Sequence, residues 1–274
     1  MLENRRTNGI YARLTYFAHH TDMSQLLPRL KALGIHACIS LLFAAGAAAL
    51  VFWVWYPYPY REISGGRELF FLVMGVDVVL GPLVTFILFN PAKTRRALTI
   101  DFSLVAVLQL SALVYGLWTV SVARPVYLTF EYNRFRVVHA IDVPDDLLDK
   151  AEPVFRRLPW TGPKPIGLRD FRNANEQADA TLAALNGLQL SFRPDLWIPY
   201  DQARSSVLKE SRPLTALRTR FPDRAALIDQ RVQETGRPIT ALAYVPMVGR
   251  KTFWTVVLDA QTADILGYLP IDSF

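Results

Sequence analysis

Asp77 is the residue whose position most needs a chemical explanation. It is the single charge in the 21-residue apolar stretch Leu69–Phe89, LFFLVMGVDVVLGPLVTFILF. At ~1.5 Å rise per residue, a helix of that length matches a hydrocarbon core of roughly 30 Å. An isolated carboxylate near its middle costs about 2.5–3.5 kcal/mol on insertion scales. Such a group must be neutral, hydrogen-bonded inside a bundle, or paired with a cation. Gly81-Pro82 follows shortly after, removing one backbone donor and allowing the helix to bend. No Lys or Arg lies in this stretch or in the two other long apolar stretches, so an ion pair inside the bundle is excluded. Two readings of Asp77 remain. In one, a protonated Asp77 bonds to Gln109 or to a carbonyl freed by Pro82, and fixes helix packing. In the other, Asp77 meets a polar or cationic group on another protein's membrane helix.

No other residue pattern points to chemistry. The chain has no GxxxxGK[ST] loop, GxSxG elbow, HExxH or CxxC pair. Its one cysteine, Cys38, lies in an apolar run and reads as a packing residue; no intramolecular disulfide is possible. His19 and His20 have no third metal ligand near them in sequence, and His36 reads as a residue at headgroup level. His139 falls inside an expected strand with no catalytic partner indicated by spacing. Asp145-Asp146 suit a helix start and Asp259 a turn. The expectation is a protein with no cofactor and no metal that is not an enzyme. The net charge is +6, but the twenty Lys and Arg after residue 123 face eighteen Asp and Glu. The remaining ten lie mostly at the edges of apolar stretches, which argues against nucleic acid as a partner.

The elements that must position Asp77 are three apolar stretches, at about 35–56, 69–89 and 102–122. The first has small residues at Ser40, Ala44 and Ala48, a spacing that lets helices approach closely. That face serves either the chain's own spans or a helix of another protein. The third carries Gln109, Ser111 and Tyr115 as its polar points. Trp53, Trp55, Tyr56, Tyr58 and Tyr60 at the end of the first stretch, and Trp118 in the third, read as interfacial aromatics. Five Lys/Arg precede the first stretch and three lie in the 90–99 loop, against two in the 57–68 loop. The excess of positive charge puts the N-terminus in the cytoplasm and sends the C-terminal part across the membrane. The expected organisation is a tail over 1–34, a membrane module over 35–122 and an external domain over 123–274.

The last part changes pattern. Val126–Tyr132 and Phe135–Ile141 read as a hairpin, and Asp145-Asp146 starts a short helix. LPWTGPKPIG reads as a connector. Asn173–Leu185 reads as a helix with Ala174, Ala178, Leu182 and Leu185 on its apolar face, and a second helical region spans 214–234 with Pro222 interrupting it. Three closing strands follow, at 240–245, 252–259 and 265–271. The fold class is three transmembrane helices followed by a periplasmic α+β domain with an antiparallel sheet.

The runs GVDVVLGPLVTFILFNPAK (75–93) and DFSLVAVLQLSALVYGLWTVSVARPVYLTFEYNRFRVV (101–138) resemble the TfpX/TfpZ family of type IV pilin accessory proteins. RLKALGIHACISLLF, VWYPYPY and the terminal VVLDAQTADILGYLPID fit the same pattern, which covers Met23 to the C-terminus. Residues 1–22 fall outside it, and Met23 is the expected start of translation. The resemblance implies an inner-membrane accessory factor of a Gram-negative bacterium that helps a major pilin to be assembled into pili or kept there. It implies no catalytic residues. The partners expected are the pilin's membrane helix and head, and the lipid bilayer. Asp77, Gly81, Pro82, Gln109, Ser40, Ala44 and Ala48 are the candidate residues for membrane-helix contact. The alternative function is a membrane-anchored sensor or modulator whose external domain binds a small ligand.

Overall fold

A computed structural model describes residues 23–274, and the expectations made for residues 1–22 lie outside them. The chain separates into two compact units. One joins the residues up to Ala47 with Phe71–Leu117; the other joins Ala48–Phe70 with Trp118–Phe274.

Helix α1 spans Met23–Ala49 and continues as a wider π-helical stretch, Leu50–Trp55. A short α2 (Tyr60–Ile63) precedes α3 (Gly66–Leu88) and α4 (Arg95–Val122). Leu26–Trp55, Gly66–Leu88 and Arg95–Val122 are long and apolar enough to cross a membrane. Each runs past the stretch expected from hydropathy, because good helix formers such as Arg67, Glu68, Arg95 and Arg96 extend it into polar flanks. Their large apolar side chains point outward: Leu42 is 74%, Ile87 71% and Leu108 71% exposed. In water that surface would be costly, and in hydrocarbon it is not.

The second unit is built on an eight-stranded mixed sheet. Strands β1 (Pro125–Glu131) and β2 (Arg134–His139) form the expected hairpin, turning through Tyr132 in the left-handed region at φ 55. After α5 (Asp145–Leu148), β3 (Lys164–Leu168) returns to pair parallel with β1. Helix α6 (Ala174–Leu185), β4 (Trp197–Pro199), α7 (Tyr200–Glu210), β5 (Arg212–Pro213), α8 (Leu214–Arg220) and α9 (Ala225–Thr235) follow. Strands β6 (Leu242–Val248), β7 (Phe253–Asp259) and β8 (Ile265–Leu269) close the sheet. The order is β4-β3-β1-β2-β6-β7-β8, with β5 also on β6. The sheet expected to be antiparallel therefore contains two parallel pairs, β1–β3 and β2–β6. Both parallel pairs join strands separated by long crossovers, which is what parallel pairing requires.

Side chains alternate between two cores. Val245, Met247, Val256 and Leu258 pack on one face with Tyr200 and Val207 of α7. Tyr244, Leu242 and Val257 pack on the other with Leu214, Leu217 and Ile228. Tyr60 and Ile63, expected in a short connection between spans, lie inside the first core. The Lys251 N–H donates to the Ile63 carbonyl at 3.1 Å, and the Gly162 N–H to the Val54 carbonyl at 2.6 Å. The Tyr60 and Tyr268 hydroxyls share a bond of 2.8 Å. Residues 48–70 are thus part of the α/β unit. On α6 the expected apolar face is turned outward: Leu182 and Leu185 are exposed and Ala180 is the buried residue.

Candidate functional site

The first unit holds the candidate residues in a groove among α1, α3 and α4. Along α1, His36, Ser40 and Ala44 succeed one another at four-residue spacing and so share a face. Asp77, Gly81 and Thr85 repeat that spacing on α3, and Gln109 comes from α4. The groove has a volume of about 450 Å³ and is mostly apolar, with Phe43, Met74 and Phe102 among its walls.

Four groups from three helices meet beside it. The Gln109 Nε2–H donates to the Asp77 backbone carbonyl at 3.2 Å, which orients the amide. Its Oε1 then faces His36 Nε2 at 2.7 Å, so that nitrogen carries the proton. His36 Nδ1 is hydrogen-bonded to the Thr85 hydroxyl, a buried group. Every member of this hydrogen-bonded chain has a partner, as a polar network among apolar side chains requires. Gly81 makes it possible: any Cβ there would overlap the Gln109 carboxamide. Pro82 has no N–H for the carbonyl of Val78, yet Gln109 bonds one residue earlier, at Asp77.

Two expectations change. Gln109 and Asp77 do meet, but through the Asp77 backbone; the carboxylate lines the groove with no hydrogen bond or ion pair among the described residues. His36, read as a headgroup-level residue, is instead the centre of the polar chain. The missed signal was its four-residue spacing to Ser40 and Ala44. Ser40 and Ala44 line the groove, whereas Ala48 belongs to the other unit. In the loop after α3, Lys93 pairs with Asp101 at 2.6 Å.

The second unit offers a smaller polar cluster. His139, 1% exposed, faces Asp142 Oδ2 through Nδ1 at 3.1 Å, and Arg250 reaches Asp142 Oδ1 at 2.7 Å. Burial pushes the His139 imidazole below its ordinary range, against the pull of Asp142. Burial acts to raise Asp142, but the His139 bond and the Arg250 charge outweigh it and hold the carboxyl low. His139 Nε2 is buried without a partner, and among the described residues no nucleophilic side chain hydrogen-bonds to the cluster. Among the described residues no three His, Cys, Asp or Glu side chains are grouped to hold a metal ion.

A family model described as fimbrial assembly protein FimB matches residues 24–65. Those residues are nearly all of α1, its π-helical end and the loop that enters the α/β core. A fimbrial assembly protein of Dichelobacter nodosus, serogroup I, is 37% identical over 246 residues, 89% of this chain and 95% of its own length. The serogroup E1 protein of that organism is 35% identical over the same shares. A third, from serogroups C1 and C2, is 48% identical over 121 residues, 44% of this chain and 92% of its own. No solved structure matches the chain. Near-complete alignment to two relatives above 30% identity shows that this chain belongs to the fimbrial assembly protein FimB family, a pilin accessory family as its sequence motifs implied.

Proposed function

We propose that this protein is a non-enzymatic inner-membrane factor that assists assembly or maintenance of type IV pili by binding the major pilin. The observation that carries the reading is the Asp77 carboxylate, set in an apolar groove between three helices and left without a partner by its own bundle. A pilin awaiting assembly offers one apolar helix and a soluble head. The groove suits the helix: small residues at Ser40 and Ala44 admit close approach, and Asp77 accepts a hydrogen bond or cation from it. The α/β unit, on the periplasmic side, is left to contact the head. Two weak contacts on one client act together, because the second forms at high effective concentration. The family name supports a role in fimbrial biogenesis; the groove supplies a physical means.

Deleting the gene and measuring surface piliation tests the function, and Asp77 variants complemented into the deletion test the site. Asp77→Asn keeps size and hydrogen bonding but removes charge, and Asp77→Leu removes both. The reading expects deletion to reduce piliation, and Asp77→Asn to do so at normal protein abundance. Full piliation with Asn, and reduced protein only with Leu, would make Asp77 a packing residue. A small molecule retained by the purified chain, with piliation intact on deletion, would instead favour a sensor.

A further inference from the structure

Within the α/β unit, the loop from Arg157 to Lys164 is fastened to the place where two apolar helices end. The Gly162 N–H donates to the carbonyl of Val54, in the last turn of the first apolar helix. A Cβ at Gly162 would press on Pro57, so glycine allows the approach. Trp160 stands edge-on to Trp55, with ring centroids 5.3 Å apart and planes at 87°. Arg124 lies over the same Trp160 ring at 5.1 Å and donates to the Ser121 carbonyl at 2.7 Å and the Pro159 carbonyl at 3.3 Å. Ser121 is in the last turn of the third apolar helix, and the Tyr56 hydroxyl donates to the Val120 carbonyl beside it at 3.1 Å. The loop is therefore held at the level of both helix ends.

Despite these two ring contacts, Trp160 remains 57% exposed, and Trp53 at the same helix end is 78% exposed. Arg157 and Lys164 flank the tryptophan, both exposed and neither in an ion pair among the described residues. An apolar helix that spans a bilayer ends where hydrocarbon meets headgroups, the depth at which Trp is enriched and cations reach lipid phosphates.

We propose that residues 157–164 form a lipid-binding lip on the α/β unit. The Trp160 ring enters the boundary between headgroups and acyl chains, and Arg157 and Lys164 bind lipid phosphates. The occupant is the bilayer rather than a protein, because the helix ends that hold the loop are themselves bound to that depth. A ring of this kind presents an apolar body to the chains and its N–H to the headgroups.

The test uses the full chain in nanodiscs of phosphatidylethanolamine and phosphatidylglycerol, with no other protein present. Cys38→Ala removes the one native cysteine. Thr161→Cys then places a spin label on the lip, and Thr181→Cys, on exposed α6, serves as the control. At 161 the label should collide with oxygen more than with a soluble nickel chelate, with nickel collisions several-fold below those at 181. Adding Trp160→Ser should bring nickel collisions at 161 back toward the control. Equal nickel access at 161 and 181 overturns the proposal, as does protection at 161 that is unchanged by Trp160→Ser.

Discussion

Gln109 joins three helices through one side chain, and its energetics follow from its partners. Gln109→Leu removes the bonds to the Asp77 carbonyl and to His36, leaving the His36 N–H unpaired in an apolar bundle. Interhelical bonds in membranes average about 0.6 kcal/mol each, so the expected loss is ~1–2 kcal/mol, measurable by denaturant titration in bicelles. Gly81→Ala displaces the same carboxamide and should cost a similar amount. The double variant should then lose little more than either single, the signature of a shared interaction. His139 gives a pH dependence. Its folded-state proton affinity is depressed, so the unfolded chain binds the proton more readily. Stability is full above about 6.5, the free imidazole value, and falls as pH drops below it. The melting temperature of the detergent-solubilised chain should therefore decline between pH 7.5 and 5, and decline less in His139→Gln. At this scale Asp77, Gly81, Pro82 and Gln109 were legible in the sequence because polar or helix-breaking residues stand out in apolar runs. His36 was not, because hydropathy placed the helix start beside it, whereas among the described residues α1 is already helical from Met23.

The least expected element is residues 57–65, a chain connection by hydropathy and a core component by structure. Tyr60 and Ile63 are 4% and 0% exposed, packed among residues of the α/β core. Ile63→Ala should cost about 2–4 kcal/mol, as for other large-to-small core changes. A fragment holding only residues 124–274 should bind a hydrophobic dye and melt lower than the same fragment given a peptide of residues 56–66. A melt unmoved by the peptide would place Ile63 outside the folding core. The hairpin and the three closing strands were readable as short runs of β-branched and aromatic residues bounded by turn residues. Strand β3 was not, since KPIGL is short and carries Pro and Gly. Helix α7 was overlooked although Tyr200, Ala203 and Val207 mark a buried face at helical spacing. The α6 pattern misled because Ala and Leu suit a helix on any face; Leu182 and Leu185 are exposed, and tertiary packing chose Ala180.

For the whole molecule, three apolar helices with basic flanks predict the N-terminus inside and the α/β unit outside. Alkaline phosphatase fused after residue 274 should be active and after residue 95 inactive; the reverse pattern would refute this topology. Family membership and membrane-spanning length were legible from the motif string and from hydropathy. The unpaired Asp77 carboxylate was not, because only the packed bundle shows that Gln109 is engaged elsewhere. The central claim is that the groove receives a pilin helix, and site-specific photocrosslinking tests it most directly. A photoreactive residue is placed at Ala44 or Leu113, on the groove wall, in cells that make the pilin at native level. The account predicts a crosslinked product with the mass of this protein plus one pilin, reduced when Asp77→Leu is added at equal abundance. Pilin present in the membrane with no adduct from either position, while the cells remain fully piliated, would contradict it.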